Sequence, residues 1–216
     1  MNNGTEHIDT ILFDWDGTLV DSADSSFLTF KKSLEHFGVP FTWEQFDEHY
    51  TPDWYRMYEA VGLSADRWKL ADSMWKEFYP CEPYSLVAGA HETLTELRRR
   101  GYRLGVVTSG SEWRLEPEIR EFGLSGYFSV LVCNEHVKER KPHPEGLLKA
   151  VAEISCECTS CSYVGDVPED ITAGKRAQMH TIGVRSRYPT SKKLAESQPD
   201  IYITSISELL EHFPPR

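Results

Sequence analysis

Four short stretches of this 216-residue chain carry residue types that could do chemistry together. The first is Asp14-x-Asp16-Gly17-Thr18. One carboxylate can attack an electrophilic phosphorus and form an acyl phosphate. A second, two residues on, can protonate the leaving oxygen and later deprotonate water. Gly17 permits the sharp turn that would aim both at one point; an ordinary Asp-Gly β-turn is the competing reading. The second stretch is Thr108-Ser109-Gly110, where hydroxyls and free backbone N–H groups ahead of a helix make a seat for an anion. A plain helix N-cap would use the same residues. In the third, Lys141 lies in Arg140-Lys141-Pro142-His143-Pro144. A lysine beside a stiff turn is a fixed cation, able to offset charge on a transferring group and on its attacker, although a solvated surface lysine fits the string as well. Arg140 and Lys138 compete for the role, but neither directly precedes the proline. The fourth, Gly165-Asp166-Val167-Pro168-Glu169-Asp170, offers oxygen ligands to a hard cation such as Mg2+, which needs few protein carboxylates. It could equally be an acid-rich helix start with proline in its first turn. Each stretch alone is ambiguous. Taken together they supply a nucleophile, an acid/base, an anion seat, a fixed cation and a metal site, which suffices for phosphoryl transfer.

These residues need elements that bring them to one place. Apolar runs at 8–14, 102–108, 128–132, 162–166, 180–184 and 200–203 read as strands, and several end in an acid or hydroxyl. Helical patterns at 89–100, 112–122, 144–154, 168–178 and 205–212 lie between them. Alternating strands and helices predict an α/β fold with a parallel sheet covered on both faces. Such sheets present ligand sites at the carboxyl ends of their strands, which is where the four stretches fall. From about Ser22 to Tyr84 the alternation stops. That interval is helical in pattern and rich in aromatics, and it reads as an inserted bundle of three or four short helices. The expected organisation is therefore a core of residues 1–21 and 85–216 and an inserted cap of residues 22–84. In the insert, Arg56 is the expected partner for a second anionic group, because its planar fork suits carboxylate or phosphate; Trp54 and Tyr55 are expected to wall the pocket.

Composition narrows the partners. The net charge of −11 repels nucleic acids and anionic membrane surfaces. It would also repel a phosphate substrate without a local cation, a need that Lys141 and a bound metal would meet. Neither a signal peptide nor an apolar run of membrane-spanning length is apparent, and the five cysteines read as reduced thiols, so a cytoplasmic protein is expected. Cys156, Cys158 and Cys161 have a spacing that zinc could use, with Cys133 or a histidine as fourth ligand. Incidental thiols are the simpler reading, since paired Cys-x-x-Cys knuckles are absent.

In order and type, the four stretches resemble the motifs of the haloacid dehalogenase-like hydrolase superfamily, from Asp14 to Asp170. The resemblance implies a Rossmann-like three-layer core with a helical cap inserted after the first strand. It implies Mg2+ held by Asp14, the backbone carbonyl of Asp16 and Asp166, with Asp170 as ligand or close by. Asp14 would be the nucleophile, Asp16 the general acid/base, Thr108 and Ser109 the phosphate binders, and Lys141 the group steadying both. The string from Asp16 to Ser22 is most similar to the phosphoglycolate phosphatase and β-phosphoglucomutase branch. Hydrolysis of a small phosphorylated metabolite, with phosphoglycolate as the first substrate to consider, by a monomer or homodimer is the expectation. Asp16 argues against a dehalogenase, which needs only the first acid. A phosphomutase remains the alternative, although Ser26 or its neighbours stand where mutases carry a histidine. A non-catalytic binding relative is a further class, against which stands the presence of every acid the chemistry needs.

Overall fold

The computed structural model describes residues 5–216, so residues 1–4 of the expected first core segment lie outside the described residues. Six strands build one sheet: β1 (Thr10–Phe13), β4 (Arg103–Val107), β5 (Val130–Val132), β6 (Cys161–Gly165), β7 (His180–Val184) and β8 (Ile201–Ile203). All neighbours are parallel, in the order β5-β4-β1-β6-β7-β8. The order runs outward in both directions from β1 and β4. This is the α/β three-layer architecture that the alternating pattern predicts.

Side chains on a strand alternate between faces, and the sheet buries both sets. Ile11, Phe13, Leu104, Val106 and Val164 join the core on one face, closed by α5 (Ala90–Arg99), α6 (Glu112–Glu121) and α9 (Leu209–His212). Leu12, Val107, Cys161 and Tyr163 join the core on the other, closed by α7 (Glu145–Ile154) and α8 (Pro168–Arg176). Near-continuous apolar strands are what burial on both faces demands. Observed elements fall within about two residues of the expected ones, as element ends commonly do, except that the helix expected over 205–212 begins as a 3₁₀ turn at Ile206–Glu208 and is α-helical only in α9.

Between β1 and β4 lies the helical cap: α1 (Ala23–Glu35), α2 (Trp43–His49), α3 (Trp54–Ala60) and α4 (Trp68–Phe78). It has its own core, in which Phe30, Leu34, Phe41, Phe46, Met57 and Tyr58 are buried. The chain leaves and re-enters the core through a two-stranded antiparallel ribbon, β2 (Val20–Asp21) with β3 (Ser85–Leu86). The periodicity reading had missed this ribbon: two residues per strand are too few to show a period. None of the helices among the described residues is long and apolar enough to cross a membrane.

Candidate active site

The first acid stands immediately after β1, where its backbone N–H still donates to Val164 O at 2.8 Å and so fixes it to the neighbouring strand. The chain then turns sharply. Gly17 has φ +80°, and a Cβ there would collide with the carboxylate of Asp166. Both conditions require glycine, and they let the loop after β1 approach the loop after β6. On that second loop a Cβ at Gly165 would likewise strike the side chain of Asp170.

Asp14, Asp166 and Asp170 are all buried, and one carboxylate oxygen from each lies within 4.8 Å of the other two. Lys141 reaches them from the loop before α7. Its Nζ donates to Asp14 Oδ1 at 2.6 Å, to Asp170 Oδ1 at 2.7 Å and to the Tyr163 hydroxyl at 3.0 Å. That hydroxyl in turn donates to Val107 O at 2.9 Å, which braces the lysine against the sheet. Asp170 serves the start of α8 and the lysine at once. Its Oδ2 accepts the N–H groups of Asp166 and Val167 at 3.1 and 3.2 Å, capping α8, while its Oδ1 holds the lysine. Thr18 and Ser186 hydroxyls donate to the two oxygens of Asp166 at 3.2 and 2.6 Å.

The charges in this cluster do not balance. Burial pushes the Asp14 carboxyl up to about 7; Asp170 and Asp16 push the same way, and Lys141 opposes them. Burial, then Asp14 and Asp170, hold Asp166 well above the ordinary carboxylate range. Burial works against the ammonium of Lys141, yet Asp14 and Asp170 outweigh it and keep its pKa well above the ordinary lysine value. Three buried acids therefore face one lysine, and an additional divalent cation among carboxylate oxygens would relieve the excess. The donor set suits a hard, oxygen-binding metal.

The carboxylate of Asp16 is turned away from that group. Oδ1 accepts from the Ser22 hydroxyl at 2.6 Å, and Oδ2 is paired with the guanidinium of Arg114. Arg114 lies on α6 with a side chain 7% exposed, and it also donates to Glu118 Oε1 at 3.1 Å and to the Tyr79 hydroxyl at 2.7 Å. Glu118 accepts the indole N–H of Trp15 at 2.6 Å. A closed ring of contacts, Trp15–Glu118–Arg114–Asp16, thus returns to adjacent residues of one loop and fixes where Asp16 points.

The stretch expected to seat an anion lies at the end of β4. Thr108 Oγ1 accepts the Gly110 N–H at 2.9 Å, leaving its own proton to donate. Ser109 Oγ is buried without a protein partner, an uncommon state for a hydroxyl unless a ligand answers it. Thr108, Ser109 and Gly110 open, with Asp14, Asp16, Lys141 and Asp166, onto a single cavity of about 340 Å³ between core and cap.

The cap wall of the cavity includes Trp54 and Tyr55. Arg56 is a correction. Its side chain is 80% exposed, lies 3.4 Å from Asp53 and does not line the cavity. On α3 the inward face is taken by residues 54, 55 and 58, and position 56 falls on the opposite side. Arg140 does reach this wall, stacked with its Cζ 4.1 Å from the centre of the Trp54 ring. Arg114, Asp72, Tyr163 and Tyr188 were missed. For Arg114 the available signal was a charged Arg114–Glu118 pair on the same stripe of α6 as Leu115 and Ile119; nothing in the spacing connects it to Asp16. Of the three clustered cysteines, Cys156 and Cys161 have sulfurs 3.3 Å apart, while no group of three thiols among the described residues converges as a metal site.

A profile of the haloacid dehalogenase-like hydrolases matches residues 11–184. The chain is 29% identical over 209 residues to the pyrophosphatase PpaX of Bacillus velezensis, covering 95% of this chain and 96% of that one. It is 31% identical over 215 residues to the phosphoglycolate phosphatase of Aquifex aeolicus, covering 93% and 94% of the two chains. The crystal structure of CbbY from Rhodobacter sphaeroides in complex with phosphate superposes with a TM-score of 0.80 at 24% identity, over 95% of this chain and 99% of that one. The matched span runs from β1 through β7 and contains all four strand-end stretches, each of which the fold has carried to the same cavity: the chain belongs to the haloacid dehalogenase-like hydrolase family.

Proposed function

We propose that this chain is a Mg2+-dependent phosphatase that hydrolyses a small phosphate monoester through an aspartyl-phosphate on Asp14. The observation that carries the reading is the placement of two carboxylates, Asp14 and Asp16, on one tight loop facing one cavity, each held by a different cation. The phosphoryl group would be seated by Thr108, Ser109 and backbone N–H groups at the start of α6. An oxygen of Asp14 forms the new bond to phosphorus as the bond to the leaving oxygen breaks. Asp16 delivers its proton to that oxygen, and later takes one from the water that attacks the aspartyl-phosphate. Lys141 steadies the charge on Asp14 and on the phosphoryl oxygens. Asp14 and Asp166, with the Asp16 carbonyl and Asp170 beside them, would hold Mg2+, which supplies positive charge to the phosphoryl oxygens and favours ionised Asp14.

Ser26 supports hydrolysis over a mutase. It or a neighbour on α1 stands where the resemblance would place a mutase's histidine, and its hydroxyl is 2.7 Å from that of Tyr188. The test is phosphate release from a panel of monoesters, with Asp14→Asn alongside. Release that vanishes in Asp14→Asn and on chelation is expected. Full activity in Asp14→Asn would overturn the mechanism, and isomerisation without release would identify a mutase.

A further inference from the structure

The cavity is larger than a phosphoryl group requires, and its volume of about 340 Å³ lies in the range of sites that enclose a whole small organic molecule. Its cap wall is aromatic: Trp54, Tyr55, Tyr58 and Trp75 line it. Among these rings, on α4, stands an acid, Asp72. Its Oδ1 accepts from Trp54 Nε1 at 3.0 Å and Tyr58 OH at 3.4 Å, and its Oδ2 accepts from Tyr55 OH at 2.7 Å. Three donors converge on its oxygens and favour the ionised carboxylate, against burial, which pushes the Asp72 carboxyl above its ordinary value. A carboxylate has room for about four donors, and three are present; Oδ2 has received one.

Three of the four cations that line the cavity are already committed. Arg114 is paired with Asp16 and Glu118, and Lys141 with Asp14 and Asp170. Arg140 is 3.5 Å from Asp53 and stacked on Trp54. The fourth, Lys76, stands one turn after Asp72 on α4 and has no ion pair among the described residues. A second anionic group on the substrate would therefore meet the Asp72 carboxylate and aromatic faces, with Lys76 as the one unpaired cation of the lining.

Resting on the phosphatase reading, we infer that Asp72 is a specificity-determining residue that binds the leaving alcohol through hydrogen-bond donors and disfavours substrates bearing a second negative charge at that end. The favoured substrate is a phosphate monoester whose alcohol carries hydroxyl or amino donors and an apolar face for the rings. A carboxylate accepting from a ligand donor is a charge-assisted hydrogen bond, and its loss is felt as about a ten- to hundredfold change in specificity. The same carboxylate repels the carboxylate of phosphoglycolate or the far phosphate of pyrophosphate.

The experiment compares kcat/KM for a hexose 6-phosphate, an aminoalkyl phosphate, phosphoglycolate, pyrophosphate and p-nitrophenyl phosphate, in the unaltered protein and in Asp72→Asn. Ratios between substrates within one protein cancel any loss of active enzyme, so a partly misfolded variant still gives an answer. The unaltered protein is expected to prefer one of the two donor-bearing esters over both doubly anionic substrates by at least about tenfold, and Asp72→Asn to shrink that ratio about tenfold. The hexose and aminoalkyl arms distinguish a neutral from a cationic alcohol. A preference for pyrophosphate or phosphoglycolate in the unaltered protein overturns the inference, as does an unchanged ratio in Asp72→Asn. Absence of phosphate release from every substrate, p-nitrophenyl phosphate included, overturns the phosphatase reading instead.

Discussion

Replacing Arg114 with methionine should damage stability and catalysis by separable routes. The guanidinium binds Asp16, Glu118 and Tyr79 at a site where the Arg114 and Glu118 side chains are 7% and 2% exposed. Removing one partner of a buried pair leaves the other charge uncompensated, at a cost of about 3–5 kcal/mol. For a chain of this length each kcal/mol corresponds to roughly 2–4 °C, so Tm should fall on the order of 10 °C. Adding Glu118→Gln removes the more deeply buried of the two stranded charges while keeping an acceptor for the Trp15 indole N–H. The double variant should recover part of the loss in Tm. It should not recover catalysis, because Asp16 still lacks the guanidinium that aims it. The assay is kcat/KM, which reports the steps up to the aspartyl-phosphate. An aryl ester such as p-nitrophenyl phosphate departs with little help from an acid and should lose little. An alkyl ester, which needs the proton of Asp16, should lose on the order of 100-fold. Equal losses on both esters in the stable double variant would refute the positioning role, and an unchanged Tm in Arg114→Met would refute the energetics.

Other outcomes follow from the same geometry. Gly17→Ala meets both a positive φ and the Asp166 carboxylate; it should abolish activity and weaken stabilisation by Mg2+, checked by thermal melts with and without the ion. Ser109→Ala removes a buried hydroxyl that has no protein partner. It should change stability by no more than about 0.5 kcal/mol yet weaken competitive inhibition by inorganic phosphate several-fold. In chelator-treated protein the Asp14 carboxyl, raised from 3.8 to about 7, binds its proton more tightly folded than unfolded. Stability should therefore fall as pH rises from about 4 to 7, and Mg2+ should raise Tm more at pH 7.5 than at pH 5; equal shifts at the two pH values would contradict the charge imbalance described above.

Much of the core could be read from the chain. Its strands are short apolar runs bounded by helices of clear period, so burial on both faces leaves a one-dimensional trace. The four strand-end stretches are local as well: Asp14 with Gly17, or Asp166 with Asp170, lie within one turn of chain, and the parallel sheet carries them to one edge. Arg114 could not be read in this way. It stands 98 residues from Asp16, and its partner is chosen by how α6 lies against the loop after β1. The cap was legible as helices but not as a wall. Aromatics fill both the core of the cap and its cavity wall, so composition could not say that Trp54 and Tyr55 turn inward while Arg56 turns to solvent. By itself the sequence determined the fold class and the kind of chemistry at the strand ends, since both depend on period and short spacing. Tertiary structure alone decided which cation holds Asp16 and which acid stands in the cap wall of the cavity, because those choices are made where helices distant in sequence pack together.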